Sequence, residues 1–244
     1  MNRSLAVLYG GACYTAFLAT FLYAIAFVAG FGVPKHIDNG AQTTLWTALA
    51  IDIGLLALFA VQHSGMARPA FKRWWTRFVP PAIERSTFVL VSSVVLALLF
   101  WLWRPLPQVV WQVDAGLARG VLWGVSLFGW LLVLTSSFTI NHFELFGLRQ
   151  VWLHARGRVA KDEPFVIRAM YRIVRHPLML GFLIAFWVTP TMTIGHLLFT
   201  AVVTGYIFVA VKFLEERDLV AMHGDTYRDY QRKVPMLLPG RRRS

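Results

Sequence analysis

The sequence predicts an all-α fold, a polytopic membrane helical bundle of about six apolar spans whose last two form a C-terminal helical hairpin. Three observations carry this. Hydrophobic residues make up 57% of the 244 and charged residues only 15%, an apolar excess over ordinary soluble domains. Most of the apolar residues are gathered into runs of about 18 or more, the length a helix needs to cross roughly 30 Å of hydrocarbon. Polar segments that carry most of the charge separate these runs.

The first run, Leu5 to Val33, follows Arg3 and contains small residues, as a signal peptide does. It is too long for the apolar core of a signal peptide and is read as a retained span. Cys13 is the only cysteine and lies inside it, which excludes an intramolecular disulfide and a cysteine-cluster metal site. The second run is Leu45 to Gln62, the third Thr87 to Trp103 and the fourth Val121 to Ile140. After a polar segment come Leu178 to Thr189 and His196 to Phe213, joined by TPTMTIGH (189–196), whose Pro and Gly suit a tight turn. No linker or internal repeat marks a second domain, so residues 1–244 are read as one integral membrane domain. The final GRRRS reads as a frayed tail facing anionic lipid.

A formal net charge of +12 invites a nucleic-acid reading, but the loops account for it. Of the 24 Lys and Arg, only Lys35, Arg104 and Arg119 fall in the loops after the first and third runs. The rest collect at or near the opposite face. Positive residues favour the cytoplasm, which places both termini, residues 64–86, residues 141–177 and the tail from Glu215 on that side. The partners expected are therefore membrane lipid and a small molecule, with no nucleic acid. Nothing in the sequence specifies an oligomeric state.

Two polar stretches border the hairpin. YRIVRHPLMLG (171–181) sets Arg172, Arg175 and His176 directly against an apolar run. LEERDLVAMHGDTYRDYQRKVP (214–235) reads as a helix leaving the membrane through Glu215, Glu216, Arg217 and Asp218, ended or bent by Gly224. Tyr227 and Tyr230, three apart, share one face of a following helical turn. A carboxylate pair, arginines and two aromatic rings suit a zwitterionic ligand with a flat ring. The alternative is that these charges hold helix ends at the interface.

As an ordered set, RHP, Gly181, an apolar hairpin, EERDL, HG, YRDY and VP resemble the membrane methyltransferases of the isoprenylcysteine carboxyl methyltransferase superfamily. That resemblance implies S-adenosylmethionine as cofactor, bound at the cytoplasmic face by a C-terminal part of about 165–239. Matched by motif, Arg175, His176, Pro177 and Gly181 would form the turn approaching it. Glu215, Glu216 and Arg217 would face its charged and hydroxyl groups, and Tyr227 and Tyr230 would close the pocket. One departure is Met179, where that superfamily usually has a tyrosine. Further upstream, AVQHSGMARPAFKRWWTRFVPPAIERSTFVL (60–90) and INHFELFGLRQVWL (140–153) closely resemble the bacterial methanethiol S-methyltransferases. This implies a bacterial inner-membrane enzyme that methylates a small thiol, methanethiol, to dimethyl sulfide.

An alkyl thiol is largely protonated at neutral pH if its pKa is near the ~8.5 of free cysteine, so a base or a positive neighbour is needed. The candidates sit at the inner ends of the second and fourth runs: His63, beside Gln62 and Ser64, and Asn141 with His142, near Glu144. Helix-end capping is the plainer role for each histidine. Asp52 lies on the same helix face as His63 but roughly 16 Å away, which leaves it as structural pairing or a pocket floor. Tyr206 sits midway along the last run as a core aromatic or a substrate-orienting phenol. Arg68 and Arg149 read as braces of polar segments, and Arg73 as membrane-facing charge. No His pair at i, i+4 and no HExxH spacing supports a metal site. The other readings are an NADPH-dependent reductase of the sterol-reductase type, which shares a similar RHP turn, a protein, isoprenylcysteine or lipid methyltransferase, and a non-enzymatic binding subunit. The paired glutamates and small size favour the methyl donor.

Overall fold

The computed structural model describes residues 2–158 and 166–240; the basic tail and part of the polar segment before the RHP turn lie outside the described residues. In chain order the elements are α1 (Arg3–Ala29), α2 (Leu45–Ala67), α3 (Pro69–Trp75), α4 (Pro81–Leu102), β1 (Val109–Gln112), α5 (Gly116–Ile140), α6 (His142–Leu145), α7 (Leu148–Ala155), α8 (Pro177–Trp187), β2 (Thr191–Thr193), α9 (Ile194–Val209), a π-helical turn (Ala210–Glu215), α10 (Glu216–His223) and α11 (Asp225–Lys233).

Helices α1, α2, α4, α5 and the continuous helix Ile194–His223 are each long and apolar enough to cross a membrane. The protein is a polytopic, helical integral membrane protein. Helix α8 differs: its 11 residues span about 16 Å, roughly half the hydrocarbon thickness. The apolar run from Leu178 to Thr189 is longer than the helix because Val188 and Thr189 belong to the turn after Trp187. The hairpin itself forms, with Trp187 Nε1 donating to Thr204 Oγ1 at 2.9 Å and Thr200 Oγ1 donating to the Phe186 carbonyl at 3.3 Å.

The chain divides into two compact units. One comprises Met1–Gln108, Asn141–Asp162 and Thr193–Phe199. Within it α1 packs on α4 through Phe27 and Phe100, whose ring centroids are 4.7 Å apart. A Cβ at Gly10 would lie 2.7 Å from Val151 Cγ2, so the missing side chain is what lets α7 approach α1. Fully buried Asp52 accepts a hydrogen bond from the Arg104 backbone N–H at 2.9 Å, just beyond the end of α4. That bond occupies Oδ1 in a structural pairing, while Oδ2 is buried with no hydrogen-bond partner among the described residues.

The other unit comprises Val109–Ile140, Glu163–Met192 and Thr200–Ser244. Its core is the contact of α5 with α8. A Cβ at Gly181 would lie 2.7 Å from the Gly129 carbonyl oxygen, and one at Gly129 would lie 2.6 Å from the Ala185 backbone nitrogen. Small residues on facing helices thus bring two backbones into contact, the usual source of cohesion where water is absent. Ser126 Oγ adds a hydrogen bond to the Ala185 carbonyl at 3.0 Å.

Candidate active site

The RHP turn is fixed by its neighbours before any side chain acts. Proline disfavours helical backbone in the residue before it, and His176 accordingly sits at φ −127° and ψ 66°, capping α8 while Pro177 opens it. The Arg175 and His176 backbone N–H groups donate to the carbonyls of Pro235 and Met236 at 2.9 and 3.1 Å. The tail after α11 is thereby tied to the start of α8.

Glu216 is the hub of the cluster. Its Oε1 accepts from Arg175 Nε at 2.6 Å and lies 3.1 Å from His176 Nε2; its Oε2 accepts from Gln231 Nε2 at 3.0 Å. Arg175 also donates through Nη1 to the carbonyls of Gln231 and Val234, at 3.0 and 2.5 Å. His176 Nδ1 lies 3.5 Å from Glu215 Oε1. Burial opposes charge on His176, but hydrogen bonds and negative charge from Glu215 and Glu216 outweigh it and raise its pKa to about 9. The histidine is therefore a cation at neutral pH.

The two glutamates differ in access. The Glu216 side chain is 8% exposed and that of Glu215 46% exposed, so Glu216 is committed internally while Glu215 presents an open carboxylate. Consecutive residues of a helix point roughly 100° apart, which turns the two carboxylates to different sides. Arg217 is exposed and makes no ion pair among the described residues. Of the two arginines that the family resemblance sets beside the cofactor, Arg175 is spent on Glu216 and the tail, and Arg217 is the open one.

Gly224, at φ 58° and ψ −131°, ends α10 as the sequence predicts, in a backbone region suited to glycine. Tyr227 and Tyr230 do share a face of α11, but that face is buried against Val234 and the partly buried Ile167, Leu219 and Val220. The Tyr230 hydroxyl donates to the Tyr171 carbonyl at 2.5 Å. Burial pushes the Tyr230 phenol up to about 12 and raises that of Tyr227 as well, so both stay protonated. They form a core beneath the cluster. Gly181 likewise faces Gly129 across α5, and its missing Cβ serves helix packing.

The candidate bases lie in the first unit. His63 stacks on Phe59, with centroids 5.3 Å apart, lies beside Phe88, and its Nδ1 is 3.4 Å from Ser92 Oγ. Asn141 caps α6, accepting from the Glu144 N–H and donating to Glu144 Oε2 at 2.8 Å. Arg149 pairs with the same oxygen at 2.7 Å. His142 is buried, with Nε2 2.9 Å from the Tyr14 hydroxyl and its ring 4.8 Å from that of Phe146. Burial lowers its pKa and keeps the imidazole neutral at pH 7. Phe88 and Phe146 belong to one apolar cluster, so both histidines border the same aromatic core. Among the described residues no group of three or more His, Cys, Asp or Glu is placed to hold a metal.

Sequence reasoning passed over Gln231, Ser92 and Tyr14. Gln231 carried a signal, since it stands four residues after Tyr227 and so on the same side of α11. Ser92 and Tyr14 carried none, because their partners are distant in sequence.

A family model described as NnrU protein matches residues 53–234. The methanethiol S-methyltransferase of Mycobacterium tuberculosis is 56% identical over 98% of this chain and 98% of its own length. Methanethiol S-methyltransferases 1 and 2 of Bradyrhizobium diazoefficiens are 56% and 54% identical, over 98% and 96% of this chain and 84% and 89% of theirs. No solved structure matches the chain. On a family match that takes in most of its length and relatives more than half identical to it almost end to end, the chain belongs to the NnrU protein family, together with the methanethiol S-methyltransferases.

Proposed function

We propose that the protein is an S-adenosylmethionine-dependent thiol S-methyltransferase that converts methanethiol to dimethyl sulfide. The relatives' shared name carries the reaction and the acceptor. One geometric observation supports a cationic, zwitterionic donor: Glu215 pairs with His176 Nδ1 at 3.5 Å yet keeps a half-exposed carboxylate, beside a cluster whose other carboxylate is already satisfied.

S-adenosylmethionine supplies a methyl group on a positively charged sulfur. Glu215 is assigned to neutralise a cationic group of the donor, and Arg217 to clamp its carboxylate with two parallel hydrogen bonds. Arg175, His176 and Glu216 hold Glu215 in place and tie the tail to the RHP turn. Pro177 and Gly181 set the direction and close packing of α8, and Tyr227 and Tyr230 brace the tail helix from below. The phenols are thus assigned to support.

His142 and His63, with Asn141 fixing the start of α6, are the groups assigned to the thiol proton. A neutral imidazole accepts a proton, and the lowered pKa of His142 keeps it in that form. A thiolate held away from water at the bilayer is a stronger nucleophile toward a cation, since attack cancels both charges. The concentration of Lys and Arg on one side of the spans supports placing that face in the cytoplasm of a bacterial inner membrane.

The test is incubation of membranes containing the protein with isotopically labelled methyl donor and a panel of thiols, with headspace analysis of the products. Labelled dimethyl sulfide with methanethiol, and calorimetric binding of S-adenosylmethionine but not NADPH, are the expected outcomes. NADPH binding without methyl transfer would overturn the assignment.

A further inference from the structure

Residues 68–79 read RPAFKRWWTRFV, with four cations, four aromatic rings and no carboxylate; none occurs between Asp52 and Glu84. The segment joins the last residue of α2, Ala67, to the first of α4, Pro81, two crossing helices of one unit. It is held to the membrane surface by both ends. After α3 the chain continues in helical turns, the N–H groups of Thr76 and Val79 donating to the carbonyls of Lys72 and Trp75, four residues earlier, at 2.9 and 3.0 Å. Positions four apart therefore line up.

Two parallel rows result. Trp74 and Phe78, 48% and 69% exposed, stand with ring centroids 5.6 Å apart, and Phe71 backs Trp74 at 5.4 Å. Beside them Arg73 and Arg77 are exposed, and neither makes an ion pair or side-chain hydrogen bond among the described residues. In water such a surface would leave aromatic area wet and cations unmatched. At a bilayer boundary each row meets its own medium, the rings at the acyl edge and the guanidinium groups on the phosphates.

We propose that this face is a docking surface for anionic phospholipid headgroups, with Arg73 and Arg77 as the headgroup ligands and Trp74 and Phe78 as the anchors. A soluble phosphate would match the arginines and leave the ring row in water, so the occupant is the leaflet itself.

The experiment titrates phosphatidylglycerol into the purified full-length protein in phosphatidylcholine-containing micelles and tracks its thermal midpoint, which rises when a ligand binds only the native state. The wild-type half-point should lie at least tenfold below that of R73Q/R77Q, at about fivefold for each arginine. R73K/R77K keeps the charges and should stay within about twofold of wild type. Raising salt from about 0.05 to about 0.5 M should move the wild-type half-point severalfold upward. Equal half-points for wild type and R73Q/R77Q, or no salt dependence, would overturn the proposal. So would an equal rise from soluble glycerol phosphate.

Discussion

Two polar clusters, one in each unit, use histidine in opposite ways. His176 lies between two carboxylates and is held as a cation. His142 lies among the rings of Tyr14, Phe143 and Phe146, with a phenol hydroxyl on Nε2, and is held neutral. The same side chain is a buried cation in one place and a buried neutral ring in the other. What decides is whether an acid shares the burial. The proposed function assigns the charged donor to the first kind of cluster and the thiol proton to the second.

The sharpest way to break the comparison is to separate the adjacent glutamates. Glu216→Gln leaves the Arg175 guanidinium and the His176 imidazolium without their shared carboxylate in a site where both side chains are at most 10% exposed. Stranding buried charge costs about 3–5 kcal/mol, so thermal unfolding in detergent should show a large loss of folded protein. Glu215→Gln, which removes a half-exposed partner of His176 and leaves Glu216 in place, should cost about 1 kcal/mol while weakening S-adenosylmethionine binding about tenfold by calorimetry. Equal losses of stability in both variants would erase the division of labour between them.

The second cluster is broken by its imidazoles. If His142 takes the thiol proton, His142→Ala should depress turnover about a hundredfold near neutral pH and progressively less as hydroxide generates thiolate unaided. His63→Ala tests the alternative base in the same way. A pH–rate profile parallel to wild type in either variant removes that residue from the proton path.

Much of the fold was legible and less of the site. The start of α2 at Leu45 and the end of α5 at Ile140 fall where the apolar runs predict them. The run from Leu178 to Thr189 is short for a span even in the sequence, and α8 ends at Trp187, two residues before the run does, because hydropathy measures greasiness and not helix length. The juxtaposition of the RHP turn with the paired glutamates came from resemblance to a family. The π turn Ala210–Glu215 has no residue signature. Neither does the capture of Arg175 by main-chain carbonyls of Gln231 and Val234, since every residue offers the same acceptor. The spacing of Tyr227 and Tyr230 gave their common face correctly; whether that face met a ligand or a core depended on Ile167 and Val234, outside the pair.

A finer test of the charge scaffold is its pH dependence. The folded pKa of His176 is raised to about 9, above the ~6.5 of an unperturbed histidine. Its contribution is therefore complete below about pH 6.5 and is lost as pH rises through about 9. The stability difference between wild type and His176→Ala, on the order of 2 kcal/mol at pH 6, should shrink as pH climbs and close above pH 9, as read from thermal midpoints in buffers spanning that range. A difference that grows with pH would mean that the imidazole is buried neutral and that the contrast with His142 is absent.

The smallest expected effect sharpens the same contrast from outside it. Gln231 touches neither histidine, yet its amide holds Glu216 Oε2 at 3.0 Å while its carbonyl receives Arg175 Nη1. Gln231→Ala removes the amide and keeps the carbonyl, so it should cost about 1–2 kcal/mol, the worth of one hydrogen bond to a charged group. Its distinguishing mark lies elsewhere. With one oxygen untethered Glu216 turns more freely, His176 loses part of the field that raises its pKa, and the alkaline loss of stability should begin at a lower pH than in wild type. Gln231→Ala that lowers the thermal midpoint equally at every pH would make Gln231 a packing residue, and the cluster would then consist of Arg175, His176 and the two glutamates alone.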